Sequence, residues 1–139
     1  MSSELIQITF NKIMQSRSYT VIILGTQEKK FAIYTEPQVG EKIQIYITSE
    51  ERPRPFTHDL IQAVLNGYGI KPLQVVISDI EDTIYFSRLY LEQQNGDQKT
   101  ILEIDARPSD SITLALIYNI PVFIRREIFE KAVAVEEGL

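Results

Sequence analysis

Residues 103–116, EIDARPSDSITLAL, set two backbone geometries side by side. Leu102, Ile104 and Ala106 alternate with Glu103, Asp105 and Arg107, the period of a strand whose successive side chains take opposite faces. The first three read as the core face. Pro108 then bars helix for the residue before it. Beyond it, Ile112, Leu114, Ala115, Leu116 and Ile117 are apolar nearly all round a helix, which predicts that the helix is buried. A strand running straight into a buried helix requires a core shared by both.

The same punctuation stands half a chain earlier, in PRPFTHDLIQAVL, residues 53–65. Each segment reads Arg-Pro, a hydroxyl residue, an Asp and then an apolar helix face. Thr57 and Ser109 are the expected helix caps, because a hydroxyl oxygen can accept from a free first-turn amide. Asp59 and Asp110 fall where the positive end of the helix dipole favours a carboxylate. The first helix is expected to bury Leu60, Ile61, Val64 and Leu65 and to end at Gly67 or Gly69.

The remaining periodicity is mostly that of strands. Ile6, Ile8 and Phe10 alternate, YTVIILG is a β-branched run, and KKFAIYT follows a short polar turn, which predicts a hairpin. PLQVVISDI, TIYFSRLYLEQQ and KTILEIDA form a meander, with Asn95-Gly96 providing the positive φ of a tight turn. IPVFI is a short late strand, and RREIFEKAVAVEEGL a fraying terminal helix. Residues 36–51, EPQVGEKIQIYITSEE, fit both periods: Ile43, Ile45 and Ile47 alternate, whereas Val39, Ile43, Tyr46 and Ile47 share a helical face. The expectation is a single α/β (α+β) domain over residues 1–139, a mostly antiparallel twisted sheet flanked by about three helices.

Composition narrows the function. The net charge is −5, so a general nucleic-acid track of Lys and Arg is not expected. The basic pairs Lys29-Lys30, Arg52-Arg54 and Arg125-Arg126 read as solvated surface. Cysteine is absent, which removes disulfides and thiolate chemistry. No apolar run is long enough to span a bilayer, and the start carries no secretory pattern, so no membrane partner and a cytoplasmic location are expected.

His58 is the only histidine, so a multi-histidine metal site within one chain is excluded. It suits general acid-base work, and equally a packed surface ring. Asp105, Asp110 and Arg107 at one strand-helix junction suit a divalent cation or a water oriented near a phosphate, or else a set of capping and ion-pair contacts. Arg54 and Arg107 each precede a helix start, where free amides and a guanidinium suit a phosphate. The phosphate-loop, dinucleotide, zinc-protease and nucleophile-elbow signatures are missing.

PRPFTHDLIQAVL and IDARPSDSITLALIYNIPVFI together resemble the paired hallmarks of the bifunctional nuclease domain family, and the likeness continues through FAIY and VVISDIEDTIYFSRLYL, over about residues 4–132. Plant members are described as cleaving both DNA and RNA, and members are often homo-oligomers. The resemblance turns the ambiguous segment to helix, starting near residue 37. It implies a metal-dependent phosphodiester hydrolase acting on DNA or RNA, with Asp105 and Asp110, and Asp59 beside them, gathering Mg²⁺ or Mn²⁺. Arg54 and Arg107 would hold the phosphate and His58 would move a proton. Thr57 and Ser109 complete the motifs as helix-start residues. One departure stands out: Val39 occupies the place of a family Glu, Glu36 that of a Gly, and Glu41 points to another side of the helix. That loss favours an alternative, a non-catalytic regulatory or protein-interaction module on the same fold.

Overall fold

The alternating and β-branched segments at the N-terminus form β1 (Leu5–Gln15), β2 (Thr20–Gly25) and β3 (Lys30–Thr35), paired antiparallel in succession. The ambiguous segment is helix, α1 (Pro37–Thr48), and the first Arg-Pro segment leads into α2 (Thr57–Gly67). The meander follows as β4 (Ile70–Glu81), β5 (Ile84–Asn95) and β6 (Gln98–Ala106), then α3 (Pro108–Tyr118), β7 (Val122–Arg125) and the short α4 (Arg126–Lys131). The computed structural model describes residues 4–136, and in it the seven strands make one sheet in the order β3-β2-β1-β7-β4-β5-β6. Every pairing is antiparallel except β4 with β7.

The core has two apolar clusters, and α3 contributes to both. Ile112 joins Ile8, Ile22, Phe31, Ile43, Ile77 and Ile124, while Leu114 and Ala115 join Leu65, Val75, Leu89 and Leu91. A helix apolar on nearly every side needs cover on nearly every side, and the burial of Pro108, Ser109 and the whole run from Ser111 to Ala115 agrees with that reading. Two buried hydroxyls fix its start. Ser87 on β5 donates to the Ala106 carbonyl at 2.6 Å and meets the Ser111 hydroxyl at 2.8 Å. These bonds satisfy polar groups that burial would otherwise penalise.

Helix α1 is seated by a different buried hydroxyl. Thr20, fully buried on β2, donates to the Pro37 carbonyl at 3.0 Å and accepts from the Gly40 amide at 3.1 Å. A Cβ at position 40 would lie 2.5 Å from the Thr20 hydroxyl and against the Gln15 side-chain oxygen, so only glycine lets the helix approach this closely. This docking, together with the burial of Ile43, explains why tertiary context overrides the β-branched alternation of the segment.

The loop between α1 and α2 is tied down by Arg52. Its guanidinium meets Asp59 through two hydrogen bonds of 2.7 Å and lies over the rings of Tyr46, at 4.7 Å, and Phe56, at 5.6 Å. Asp59 also accepts from the Phe56 amide at 2.7 Å, so it caps the helix from its third position. These donors, Arg52 foremost, hold the Asp59 carboxyl below its ordinary range against the opposing effect of burial.

Several expectations are corrected here. Thr57 and Ser109 do not cap: α2 is preceded by Phe56 and α3 by Arg107, and Thr57 and Ser109 lie inside the first turn. Pro108 takes the first helical position, where its missing amide is no loss. Arg52 is bound rather than solvated. Leu60 and Val64 are 61% and 49% exposed, because α2 is covered on its Leu65 side only. Leu102 is 54% exposed, since β6 is an edge strand and its inner face extends past the helices. The last segment is helical for six residues only, after which the Val135 amide donates to the Lys30 carbonyl at 2.8 Å. The described residues hold the three flanking helices and the short terminal one, and within the Asn95-Gly96 turn the positive φ falls on Gly96.

Two outcomes are expected. Gly40→Ala should destabilise the fold by about 1–3 kcal/mol through overpacking, read as a lower denaturant midpoint at an unchanged slope. Asp59→Asn should lower the melting temperature by a few degrees at pH 7. Because the folded carboxyl sits below its unfolded value, its stabilisation is present above about pH 4 and fades as pH falls further. The difference between wild type and variant should therefore shrink towards pH 3, and an undiminished difference there would refute the linkage.

Candidate functional site

The starts of α2 and α3 meet. His58 Nε2 lies 3.1 Å from Asp110 Oδ1, and Arg107 Nε lies 3.2 Å from Asp110 Oδ2. Arg107 also reaches Glu36, at the start of α1, at 3.4 Å. Three helix starts therefore converge through one chain of charged groups. They border a cleft of about 680 Å³ between α1, α2, α3 and the inner face of β5 and β6.

The cleft has two ends of different chemistry. Glu36, Lys42, Thr57, His58, Arg107 and Asp110 line its polar mouth, and Ile61, Leu65, Leu89, Leu91 and Ile104 its apolar floor. Val39, standing where the resemblance places a Glu, lines it too. Glu36 and Lys42 were not singled out by motif or spacing. Glu36 gave a signal only as a departure from the family pattern, and Lys42 gave none.

The carboxylates differ sharply in their surroundings. The His58 hydrogen bond, and then Arg107, hold the Asp110 carboxyl below its ordinary range although burial acts the other way. An ionised Asp110 accepts, so the His58 Nε2 it faces carries a proton. His58 Nδ1 is buried without a hydrogen-bond partner among the described residues. Both ring nitrogens are thus withdrawn from the cleft, and the geometry gives His58 a holding role rather than that of a free proton carrier. Tyr46 stacks edge-on to His58, with ring centroids 6.4 Å apart. Burial first, and the nearby Asp59 charge second, push its hydroxyl up to about 12.

Asp105 pairs in register with Arg88 on β5, whereas Leu89 pairs with Ile104. Strand alternation therefore turns Asp105 to the face opposite the cleft floor, and it borders the cleft at the rim. Arg54 and Asp59 do not join this group. They line a second hollow, of about 780 Å³, with Glu50, Glu51 and Gln62. The two Arg-Pro preludes, alike in sequence, open on different depressions.

The donor set in this arrangement does not fit a preformed cage for a divalent cation. Asp110 offers both oxygens to His58 and Arg107, Asp59 offers both to Arg52, and Asp105 lies on the face opposite the cleft floor. Among the described residues no three His, Asp or Glu side chains stand close enough to share one ion. The other basic spots are also engaged: Lys29 donates to the Phe129 carbonyl at 2.6 Å, and Arg126 meets Glu4 at 2.7 Å. No helix among the described residues is long and apolar enough to cross a membrane.

Comparison with known proteins agrees with this architecture. An uncharacterized protein of Mycobacterium tuberculosis is 25% identical over 130 residues, 92% of this chain and 72% of that relative. A protein named bifunctional nuclease 1 in Oryza sativa subsp. japonica is 30% identical over 76 residues, covering 55% of this chain and 23% of the plant protein. The bifunctional nuclease of Oryza minuta matches to the same extent. The profile of the bifunctional nuclease domain matches residues 21–137, most of the sequence. The chain belongs to the bifunctional nuclease domain family.

Proposed function

We propose that the cleft between α1, α2 and α3 binds and cleaves phosphodiesters of DNA or RNA. The observation that carries this reading is the His58–Asp110 contact: Asp110 in turn holds Arg107 at a cleft that Lys42 and several apolar side chains also line. A nucleotide has that same division, an anionic phosphate and a largely apolar base face.

Each residue then has a role that follows from its contacts. Asp110, fixed by His58, presents Arg107 to the cleft. Arg107 is mostly exposed and holds Glu36 only loosely, so a phosphate can displace the Glu36 carboxylate from it. Lys42 adds a second positive charge for the developing oxyanion. Among the described residues Asp105 is the hallmark carboxylate with no side-chain hydrogen bond or ion pair, and from the rim it is the group placed to take a proton from attacking water. Cleavage forms a bond from that water to phosphorus and breaks the bond to the leaving oxygen, which takes up a proton.

Divalent-cation dependence follows from the resemblance alone, and the assay reads it in a separate arm. A non-catalytic interaction module is the second reading. It is favoured by the full complement of partners already held by Asp59 and Asp110.

The test is cleavage of single-stranded and duplex DNA and RNA by purified protein, with Mg²⁺, with Mn²⁺ and with chelator. Arg107→Ala and Asp105→Asn should each lower turnover at least about 100-fold, the scale of a lost transition-state contact, with the far-ultraviolet circular dichroism unchanged. Arg54→Ala, on the other hollow, should stay within about threefold of wild type. Equal loss at Arg54, or cleavage unaltered in both cleft variants, would move the activity out of this cleft or to a contaminant.

A further inference from the structure

The apolar floor of the cleft continues past its charged end. In the register of β5 with β6, Leu89 pairs with Ile104, Leu91 with Leu102 and Gln93 with Thr100, and strand alternation puts all six on the cleft side of the sheet. Helix α2 runs beside them. Its Ile61 and Leu65 line the cleft with Leu89 and Leu91, and at its far end the Gln93 side-chain amide donates to the Tyr68 carbonyl at 3.1 Å. From His58 to Tyr68 the helix climbs about 15 Å. Leu102 is more than half exposed and Tyr68 is 72% exposed, so this outer trough is open and apolar.

Charge is distributed unevenly along it. Lys42, Arg107, Glu36, Asp105 and Asp110 all stand at the cleft. Beyond it, the α2 residues from Leu60 to Tyr68 are uncharged, and so are Gln93, Thr100 and Leu102 on the strand side. In a chain of net charge −5, a strip without carboxylates that leads away from Arg107 is where a polyanion meets least repulsion. A duplex gains little from it, because stacking and pairing leave only backbone and groove edges to a protein. An unpaired strand gains more, since each base has an apolar face to lay on aliphatic or aromatic side chains.

We propose that the trough is a subsite for an unpaired strand of DNA or RNA. The reacting phosphate lies at Arg107, the adjoining base over Ile61 and Leu89, and the following bases over Leu102 and against the Tyr68 ring. The aliphatic side chains have no group with which to read a base edge, and the Thr113 hydroxyl beside them already donates to the Ser109 carbonyl at 2.7 Å. The subsite therefore selects single strands over duplexes without selecting a sequence. This rests on the reading of the cleft as a phosphodiester site, and adds which form of nucleic acid enters and what holds the part that does not react.

Two readouts keep the two readings apart: cleavage with Mg²⁺ or Mn²⁺, and binding of a short fluorescent strand in chelator, followed by anisotropy. Wild type should bind the unpaired strand about tenfold or more tighter than the same strand in a duplex. Tyr68→Ala and Leu102→Ser should each weaken strand binding about tenfold, the scale of one lost base contact, and Tyr68→Trp should bind at least as tightly as wild type. All these positions are exposed, so no replacement opens the core, and Ile84→Ser, equally exposed at the β4–β5 turn, should leave binding unchanged. Two phosphates held by Arg107 and Lys42 predict a shallow dependence of log affinity on log salt, with a slope near about −1.4 for a single strand. Cleavage accompanied by equal binding of duplex, or by binding that Tyr68→Ala and Leu102→Ser leave unmoved, would overturn the trough and spare the reaction. Strand binding that these variants weaken, without cleavage in either metal, would uphold the trough and remove the reaction. A wild type that neither binds nor cleaves would remove both.

Discussion

The hydrogen bond between His58 and Asp110 decides where two helix starts lie, and through them where the cleft opens. Neither residue is deeply buried alone, yet the pair sits where α2, α3 and the sheet meet. Its partners are arranged in series. Tyr46 packs on His58, Arg107 bonds Asp110, and Glu36 bonds Arg107, so a charge placed at the mouth is felt along the chain. Charge-assisted bonds of this kind are stronger than neutral ones and more sensitive to the loss of a member.

The two Arg-Pro segments show how local context divides similar motifs. In the first, the ion-pair partner of Asp59 is Arg52, which precedes the motif and folds back across two aromatic rings. In the second, Arg107 turns to Asp110 three residues on, within one helical turn. The first arrangement closes a loop onto its helix. The second leaves a guanidinium 62% exposed and facing a cleft. One copy of the pattern serves mainly the fold, and the other is available to a ligand.

Periodicity and turn chemistry were enough to place the N-terminal hairpin, the meander and both Arg-Pro helices, because each rests on contacts between near neighbours in sequence. The resemblance, not periodicity, settled residues 37–48. The buried Thr20 hydroxyl that seats this segment stands well before it in the chain and has no local sign. Leu60, Val64 and Leu102 were misplaced for a related reason: alternation tells which residues share a face but not whether anything covers that face. The His58–Asp110 pairing joins residues 52 positions apart, and spacing could not reveal it. Asp105 was read correctly as lying opposite Ile104, and that same alternation keeps it from the group it was expected to join.

The four residues of β7 lie at the centre of the sheet. They pair with β1 on one side and β4 on the other, and they supply the only parallel pairing among the described strands. The hairpin layer and the meander are each built from neighbouring strands, but the seam between them is made by a segment that follows both. During synthesis the two halves must therefore wait, each with an open inner edge, until residues 122–125 leave the ribosome. Closure of that seam is the step of longest reach in the topology, and this places a slow, non-local event at the end of folding rather than at its start.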